Sequence, residues 1–369
     1  MPEARAYYPQ FANLPEYAGP NPPTSARSIV AGLTNLPPEK YIQYVDPNVA
    51  ANFPAGSEIK GIFSHGSSYW TRTAAVRTLQ ADGNPLVFFL KITRTHVGKI
   101  NLEGEFASIS AIAQATPHLV PTPIAVGTYA SDSDVHFYLA SFVDMTDDVP
   151  DPESLSAKVA EIHLKGISPN GKYGFSVPTN MGVCTQQNEW TSSWEKSFTV
   201  IMNTMFQFEQ DMHGRDDEMQ RMHQAILEKV IPRLLRPLET GGRQIQPRIV
   251  HGDMWDGNTS MDVTTDSPVI FDASGMYAHN EYELGAWNLP RHKIYRSYIR
   301  EYQKYFPISA PEEDVEDRLI LYRLRFNLTS SASYLSTSRF RELVIEDMRY
   351  LSAKYKEGYQ GIEQMKPES

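Results

Sequence analysis

Three polar side chains with a regular spacing in the second half of the sequence indicate a catalytic site. Asp253 follows the apolar pair Ile249-Val250, Asn258 comes five residues after Asp253, and Asp272 ends the apolar segment 268–271. Hard cations such as Mg²⁺ prefer carboxylate and amide oxygens as ligands, and a carboxylate can also orient an attacking hydroxyl. In phosphoryl transfer from ATP, positioning and charge neutralisation provide most of the catalysis. Asp253 can therefore face the hydroxyl, while Asn258 and Asp272 can hold the metal.

Each of these residues, taken alone, also has an ordinary structural interpretation. A single Asp on a loop is more often a turn former or a helix cap than a catalytic group. The combination His-Gly-Asp-x-x-x-x-Asn over 251–258, followed by a strand that ends in Asp272, is much less common by chance. It is similar to the catalytic and metal-binding loops of the aminoglycoside phosphotransferase and protein-kinase-like superfamily.

A site of this kind also needs a cation for the nucleotide phosphates and a carboxylate that holds the cation. Lys91, near the end of the apolar segment 87–92, can reach the phosphates as a flexible point charge. Glu105 lies on a predicted helix near the edge of an apolar stripe, so it can face inward, whereas Glu103 projects farther from that stripe. A solvated helix position remains the alternative for Glu105.

Two short segments are predicted to bind the nucleotide. In segment 64–69, Gly66, Ser67 and Ser68 offer small side chains and backbone N–H groups for a turn over the phosphates. An ordinary hairpin turn is the alternative, because a Gly-Ser turn is common in any hairpin. Ser141 and Val143, at the end of a predicted strand, are the expected nucleotide contacts in the segment that joins the two halves of the chain.

The elements that must position these residues follow from the pattern of apolar residues. Three apolar segments are predicted to be consecutive antiparallel strands: 59–63, 74–79 and 87–92. Asp82-Gly83 suits a tight turn between the second and third strands. A helix over 101–114 and a strand over 135–143 follow. The order predicts an α+β chain with a small antiparallel-sheet N-terminal lobe and a larger, mainly helical C-terminal lobe. The resemblance of the 251–258 motif implies that the two lobes form a bilobal, protein-kinase-like fold.

The composition divides the chain into three predicted parts. Residues 1–27 contain six prolines and are expected to form a mobile or loosely docked leader. Residues 28–146 are the expected nucleotide-binding lobe with its hinge, and residues 147–369 the catalytic and substrate lobe. In the second lobe, one pair of short strands is predicted, together with helices over 219–235, 294–306 and 313–357. Trp190 and Trp194 are predicted to pack from one helix.

Motifs in the middle of the chain narrow the resemblance from the superfamily to one family. Several motifs follow in order: Tyr173-Gly-Phe175, Asn180-Met-Gly182, Gln187-Asn-Glu-Trp-Thr-Ser-Ser-Trp194 and His251-Gly-Asp-Met-Trp-Asp-Gly-Asn258. Together with Leu102-Glu-Gly-Glu105, this series resembles the fructosamine kinase family, also called ketosamine 3-kinases, over about residues 59–300.

The resemblance implies ATP-dependent phosphorylation of a sugar hydroxyl in a ketoamine, either free or attached to a protein lysine. By the family pattern Asp253 is the base, Asn258 and Asp272 bind Mg²⁺, and Lys91 with Glu105 positions the phosphates. ATP and Mg²⁺ are therefore the expected cofactors.

Two residues beside the base are predicted to contact the substrate. Trp255 offers a flat ring to the C–H face of a sugar or to a cationic amine, although ordinary packing under the loop is about as common. Asp256 stands where many relatives have a small residue. Its carboxylate can favour a cationic amine or alter metal affinity, and a solvent-facing turn is the alternative.

Two other functions stay open at this point. A kinase of another polyol, amine or specialised metabolite would use the same scaffold, because substrate-selecting loops vary most on a shared fold. A nucleotide-binding pseudokinase is the second alternative. It would usually lack a residue of the catalytic set, and this chain has Lys91, Asp253, Asn258 and Asp272.

The amino-acid composition indicates which partners and which cellular location to expect. The 369 residues include 34 Lys and Arg against 44 Asp and Glu, a formal net charge of −10, which argues against a nucleic-acid partner or an anionic membrane surface. No apolar stretch approaches the ~20 residues that span a bilayer. The one cysteine, Cys184, excludes an internal disulfide, and a cytoplasmic location is expected. The expected partner is a small-molecule or glycated-protein substrate, and the oligomeric state is left open.

Overall fold

An antiparallel sheet of five strands forms the first part of the structure. The computed structural model describes residues 36–67, 71–182 and 184–361, so the predicted leader lies outside the described residues. The strands are β1 (Glu58–Ser67), β2 (Arg72–Leu79), β3 (Pro85–Arg94), β4 (Pro123–Thr128) and β5 (Val135–Ser141). Their order in the sheet is β1-β2-β3-β5-β4, so β3 is central.

The first three strands confirm the predicted meander. β1 pairs with β2, and β2 pairs with β3, both antiparallel. Between β2 and β3, Gly83 has φ 85° and Asp82 accepts the N–H of Asn84, as an Asp-Gly turn requires. On β3, Lys91 lies opposite Thr73 of β2 and Tyr138 of β5. Lys91 is therefore held in the middle of the sheet.

The helix that follows β3 is longer than predicted. After the short helix α1 (Pro47–Ala50), the second helix is α2 (Thr95–Ala115), which begins six residues before the predicted start. The Thr95 N–H donates to Asp134, so contacts from a distant loop fix the first turn, which carries no apolar stripe of its own. Leu102 and Ile109 are buried, and the helix ends two residues before Pro117, as predicted.

In the described residues after β5, helices are the main regular elements. They are α3 (Pro152–Lys165), α4 (Trp194–His213), α5 (Asp217–Ala225), α6 (Ile231–Leu235), α7 (Leu284–Trp287), α8 (Arg296–Tyr305), α9 (Val315–Ser333) and α10 (Arg339–Lys354). The described residues contain no helix that is both long enough and apolar enough to cross a membrane.

Three predicted helices differ from the observed ones. Between α5 and α6 the chain forms a π-helical turn, Ile226–Val230, because Pro232 has no N–H for the carbonyl four residues earlier. The predicted segment 313–357 is two helices, since α9 ends at Ser333 and α10 starts at Arg339. The placement of Trp190 and Trp194 on one helix was wrong, because α4 starts only at Trp194, where the Ser193 hydroxyl accepts the Lys196 N–H.

In the described part of the chain, three two-stranded sheets, rather than one pair of strands, lie among the helices. Their strands are β6 (Thr179–Met181), β7 (Cys184–Gln186), β8 (Arg248–Val250), β9 (Thr259–Asp262), β10 (Ser267–Ile270) and β11 (Met276–Ala278). β6 pairs with β7, β9 with β10, and β8 with β11. The prediction of one pair of short strands, 249–250 before the Asp253 loop and 268–271 after it, was therefore wrong in number, and these two strands do not pair with each other. β9 follows that loop directly and pairs with β10, which leaves β8 to pair with β11.

Aromatic side chains fill the core of the helical part. Trp194 is fully buried and contacts Phe198 and Tyr282, and its Nε1 donates to the Tyr322 hydroxyl at 2.9 Å. Trp194 is thus a packing residue, as predicted. His163 on α3 is also fully buried, with Nδ1 2.7 Å from the Tyr302 hydroxyl oxygen.

The segment after β5 is hydrogen-bonded to both parts of the structure. The Phe142 N–H donates to the Val87 carbonyl of β3 at 3.1 Å. Two residues later the chain is hydrogen-bonded to the helical part instead. The Val263 N–H donates to the Asp144 carbonyl at 2.9 Å, and the Thr146 N–H donates to the Met261 carbonyl at 2.9 Å. The crossing between the two parts therefore lies at about residues 142–146.

Candidate active site

The loop that carries Asp253 lies directly against the segment that follows Asp272. Gly252 has φ 79°, and a Cβ at this position would overlap the Ser274 carbonyl oxygen. Only glycine fits both conditions. The Ser274 N–H donates to the His251 carbonyl at 2.9 Å, which fastens the two segments together.

Asn258 fixes the carboxylate of Asp253. Its Nδ2 donates to Asp253 Oδ2 at 3.1 Å and to the Asp253 carbonyl at 2.8 Å. Asn258 is almost completely buried, whereas Asp253 keeps part of its surface exposed. The amide oxygen of Asn258 and the Oδ1 atom of Asp253 are therefore the acceptor atoms that this pair of side chains leaves for other groups.

Asp272 is brought to Asn258 by the backbone that precedes it. The Phe271 N–H donates to the Asn258 carbonyl at 3.1 Å. Asp272 itself has φ 58°, in the left-handed region that Asp tolerates better than most residues. Its side chain is 46% exposed, so carboxylate surface is accessible to solvent. Strain of this kind concentrates at functional sites.

Lys91 joins the sheet, helix α2 and the Asp272 segment. Its Nζ lies 2.8 and 2.9 Å from the two carboxylate oxygens of Glu105, and 2.6 Å from Asp272 Oδ1. Glu103, two residues from Glu105, instead pairs with Lys99 at 3.7 Å on the exposed side of α2. The structure thus brings together Lys91, Glu105 and Asp272.

The charges of this cluster depend on one another. Burial by itself lowers the pKa of Lys91, but the carboxylates of Asp272 and Glu105 more than reverse this and raise it, so the ammonium stays charged. Burial also raises the pKa of Glu105, with Lys91 opposing it. The pKa of Asp272 is lowered, since the Lys91 charge outweighs burial.

The environment of Asp253 favours proton uptake. Dense protein around the carboxylate raises its pKa to about 7, against the opposing charge of Arg325. The negative charge of Asp272 acts in the same direction as burial. A carboxylate with a pKa near neutrality can exchange a proton with a hydroxyl efficiently.

His251 and Glu283 hold the backbone of the loop, and the sequence did not indicate either role. The Glu283 carboxylate accepts the N–H groups of His251 and Gly252. His251 Nδ1 accepts the Asp253 N–H at 3.3 Å, and its Nε2 donates to the Phe271 carbonyl at 2.9 Å. Burial lowers the pKa of His251, so the ring is neutral with its proton on Nε2. The His-Gly pair before Asp253 was a possible signal for His251, but no local pattern marks Glu283.

Trp255 and Asp256 contact the segment before α8. The Trp255 ring covers Gly257, where a Cβ would overlap the indole, and lies 5.5 Å from the His292 ring at a tilt of 37°. Asp256 Oδ1 accepts the Lys293 N–H at 2.8 Å. Asp256 therefore anchors the loop through Oδ1, and its Oδ2 atom takes no part in this backbone contact.

The structure describes four of the five predicted nucleotide contacts. Gly66 has φ 74° near the end of β1, and Ser67 is the last residue of that strand. Ser68 lies outside the described residues. Ser141 exchanges hydrogen bonds with Thr122, whose N–H donates to the Ser141 hydroxyl at 2.8 Å. Val143 lies half-buried at the crossing between the two parts.

Comparisons with known proteins cover most of the chain. A family model described as fructosamine kinase matches residues 73–342. A chloroplastic protein-ribulosamine 3-kinase of Oryza sativa subsp. japonica is 30% identical over 239 residues, 64% of this chain and 65% of the relative. The match thus spans just under two thirds of that relative's length. A ketosamine-3-kinase of Mus musculus is 28% identical over 249 residues, 61% of this chain and 72% of the relative.

Solved structures confirm the predicted fold. A protein of Thermobifida fusca that carries a provisional fructosamine-3-kinase assignment has a TM-score of 0.63 at 18% identity, over 84% of this chain and 100% of the other. Aminoglycoside phosphotransferase APH(4)-Ia, solved with AMP-PNP and hygromycin B, has a TM-score of 0.53 at 13% identity, over 82% of this chain and 96% of the other. At these identities the likeness concerns the fold alone, which is the bilobal kinase-like architecture.

Proposed function

The chain belongs to the fructosamine kinase family, and from this premise we propose that it transfers the γ-phosphate of ATP to a sugar hydroxyl of a ketoamine, free or attached to a protein. The observation that carries the proposal is the contact of the Lys91 ammonium with both Glu105 and Asp272. This contact joins the sheet to the loops that hold Asp253 and Asn258. A phosphoryl-transfer site needs a cation, metal ligands and a base within one cleft.

Asp253 is the proposed base. The Asn258 amide holds Oδ2, so the carboxylate is oriented and Oδ1 can accept the proton of the attacking hydroxyl. The partial exposure of Asp253 gives an acceptor molecule access to it. Glu283 and His251 support this role, since they hold the backbone on the N-terminal side of Asp253.

The donor set fits Mg²⁺ bound together with phosphates. Among the described residues, no group of three or more His, Cys, Asp or Glu side chains could hold a metal. Mg²⁺ does not require one, because it usually keeps several waters and binds one or two carboxylates plus substrate phosphates. Asp272 offers a half-exposed carboxylate, and Asn258 offers its amide oxygen because its nitrogen is bound to Asp253. The ion, when bound, would neutralise negative charge on the phosphates.

Lys91 is the proposed phosphate contact from the sheet. Its charged state is maintained by two carboxylates, and Glu105 fixes the direction of the side chain. Gly66, Ser67 and Ser68, together with Ser141 and Val143, are the proposed contacts of the rest of the nucleotide. The positive φ of Gly66, inside the register shift between Ser64 and Ser67 of β1, supports a bend of the backbone at this point of the chain.

Trp255 and Asp256 are the proposed contacts of the ketoamine. An indole ring packs well on the C–H face of a sugar and also attracts a cationic amine. Asp256 would add a negative charge to the same region. Both residues belong to the loop of Asp253, so a substrate held by them lies close to the base.

Incubation with ATP, Mg²⁺ and a panel of fructosyl and ribulosyl amines tests the proposal, with products identified by mass spectrometry. We expect one phosphoryl group to be added to the sugar of at least one ketoamine. Asp253→Asn should lower kcat by about 10²- to 10⁴-fold, the usual contribution of a general base. A protein that is stabilised by Mg-ATP in a thermal-shift assay, yet phosphorylates no ketoamine in the panel, would contradict the proposed function.

A further inference from the structure

Arg325 on α9 is a fully buried cation whose hydrogen-bond partners are neutral. Its Nη1 donates to the Gly252 carbonyl at 3.1 Å, and its Nη2 donates to Gln186 Oε1. In the part of the chain that the structure describes, no carboxylate forms an ion pair with it. Arg318, one heptad earlier on the same helix and equally buried, pairs with Glu281 through two nitrogens. The two arginines therefore have different roles in the core.

The Arg325 guanidinium, whose charge acts on the Asp253 carboxylate without forming an ion pair with it, lies against aromatic rings. It lies 5.2 Å from the centroid of the Tyr282 ring and 4.6 Å from that of Phe326. Cation–π contacts of this kind favour a buried guanidinium and limit its movement. A charge buried without a carboxylate partner is otherwise costly, so a purely structural position would tolerate an apolar residue as well.

Arg325 and Gln186 connect the two segments of the active site. Arg325 holds the carbonyl of Gly252, the residue directly before Asp253. Gln186, held by the same guanidinium, donates from Nε2 to the Ser274 hydroxyl at 2.8 Å, two residues after Asp272. One side chain on α9 thus acts on the positions of both Asp253 and Asp272.

The connection continues to the helix that carries Glu105. The Gly275 N–H donates to the Ser108 hydroxyl at 2.9 Å, and that hydroxyl donates to the Gly104 carbonyl at 2.7 Å. A continuous series of hydrogen bonds therefore runs from Arg325 through Gln186 and the 274–275 segment to α2.

We propose that Arg325 is a positioning residue, which sets the separation between the turn of Asp253 and the segment after Asp272 by holding Gly252 and Gln186 at once. This inference rests on the proposed function and assigns it a residue that contacts neither nucleotide nor acceptor. A misplacement of about 1 Å between reacting groups can cost about 100-fold in rate. The expected effect of losing Arg325 is therefore on the chemical step rather than on binding.

Kinetics of Arg325→Met, Arg325→Lys and Arg318→Lys test the proposal with a ketoamine that the wild type phosphorylates. Arg325→Met should lower kcat by about 100-fold, with KM for ATP unchanged. Arg325→Lys should recover part of this loss, because an ammonium can still donate to the Gly252 carbonyl. Arg318→Lys is the matched control, since it also alters a buried arginine of α9, and it should lower the melting temperature while kcat is kept.

A second variant covers the case in which Arg325→Met does not fold. Gln186→Leu keeps the guanidinium but removes the link to Ser274, and it should lower kcat by about tenfold, again with KM for ATP unchanged. If the Arg325 variants that fold and Gln186→Leu keep the wild-type kcat, the proposal is wrong. It is also wrong if Arg318→Lys loses as much kcat as these variants do for the same fall in melting temperature.

Crystal structures separate this inference from the proposed function. If the wild type phosphorylates no ketoamine, the proposed function fails, but the position of the Gly252 turn relative to Ser274 can still be measured. We expect the turn to shift in Arg325→Met or Gln186→Leu relative to the wild type. An unmoved turn in these variants would overturn the positioning role whatever the substrate is.

Discussion

Lys91 Nζ lies 2.6 Å from Asp272 Oδ1, although 181 residues separate the two in the chain. The contact is possible because Lys91 is on the central strand of the sheet and Asp272 follows β10 in the helical part. Glu105 holds the same ammonium from α2. The Lys91 side chain therefore connects β3, helix α2 and the segment after β10.

Replacement of Lys91 by Met should remove the proposed phosphate contact and leave Glu105 buried without its cation. We expect kcat/KM for ATP to fall by about 10²- to 10³-fold, as for other preorganised donors. Lys99→Met is the matched control, because Lys99 forms an exposed ion pair with Glu103 at 3.7 Å and such pairs contribute little. Steady-state kinetics at several ATP concentrations give kcat/KM for each of the two variants. Equal activity of the two variants would mean that Lys91 does not bind the nucleotide.

Gly252→Ala should reduce both stability and activity. The new Cβ would occupy a left-handed position and overlap the Ser274 carbonyl oxygen, so the Asp253 turn must move. Gly83→Ala is the control for backbone strain alone, since Gly83 has φ 85° and open space around it. We expect Gly83→Ala to cost about 1 kcal/mol of unfolding free energy with kcat unchanged. Urea unfolding and kcat are measured on both variants. A Gly252→Ala enzyme with normal kcat would show that a Cβ at residue 252 does not displace the Asp253 turn.

Trp255→Leu should weaken acceptor binding more than nucleotide binding. Loss of one good apolar contact corresponds to about a tenfold increase in KM for the ketoamine. Gly257→Ala should have the same direction of effect, because its Cβ would displace the indole ring that covers Gly257. KM values for both substrates, measured separately, distinguish the outcomes. An increase confined to KM for ATP would assign Trp255 to the nucleotide instead.

Stability should decrease on mild acidification because of buried histidines. Burial lowers the pKa of His223 to about 4, against 6.5 for an ordinary histidine. Between these two pH values the unfolded chain binds a proton that the native protein excludes, so the stabilising contribution is present above about pH 6.5 and is lost as the pH falls toward 4. The slope from this residue approaches about 1.4 kcal/mol per pH unit.

His223→Phe tests this pH dependence. The imidazole stacks on Phe206 with ring centroids 3.8 Å apart and an angle of 4° between the rings, so a phenyl ring can take its place. Unfolding free energies measured in urea from pH 7 to pH 4 should show a shallower decline for His223→Phe than for the wild type. Parallel curves would show that His223 titrates normally in the folded protein.

The parts of the structure that were predictable are those with a local signal. Short apolar segments marked β1 to β3, and the Asp82-Gly83 pair marked the turn between the last two strands. The motif around Asp253 and the strand before Asp272 each carry a recognisable pattern. Because a kinase-like fold imposes a known order on these elements, the proximity of Lys91, Glu105 and Asp272 could be expected from the sequence.

The residues that support the site from a distance were not predictable. Glu283 accepts two N–H groups of the Asp253 loop, and Arg325 holds its Gly252 carbonyl, but both occur in segments without a distinctive spacing. The start of α2 at Thr95 was missed for the same reason, since Asp134 fixes it through a tertiary contact. The pairing of β8 with β11 also depends on which strands meet in three dimensions, a choice that no single segment encodes.

The hydrogen bonds around the crossing segment have a consequence for motion. Phe142 is fastened to β3, whereas Asp144 and Thr146 are fastened to the hairpin of β9 and β10. Val143 is thus the single residue between the two anchored stretches at this point. Along this stretch, a tilt of the sheet relative to the helices would have to turn the φ and ψ torsions of Val143, and a nucleotide that bound Val143 would restrict that rotation.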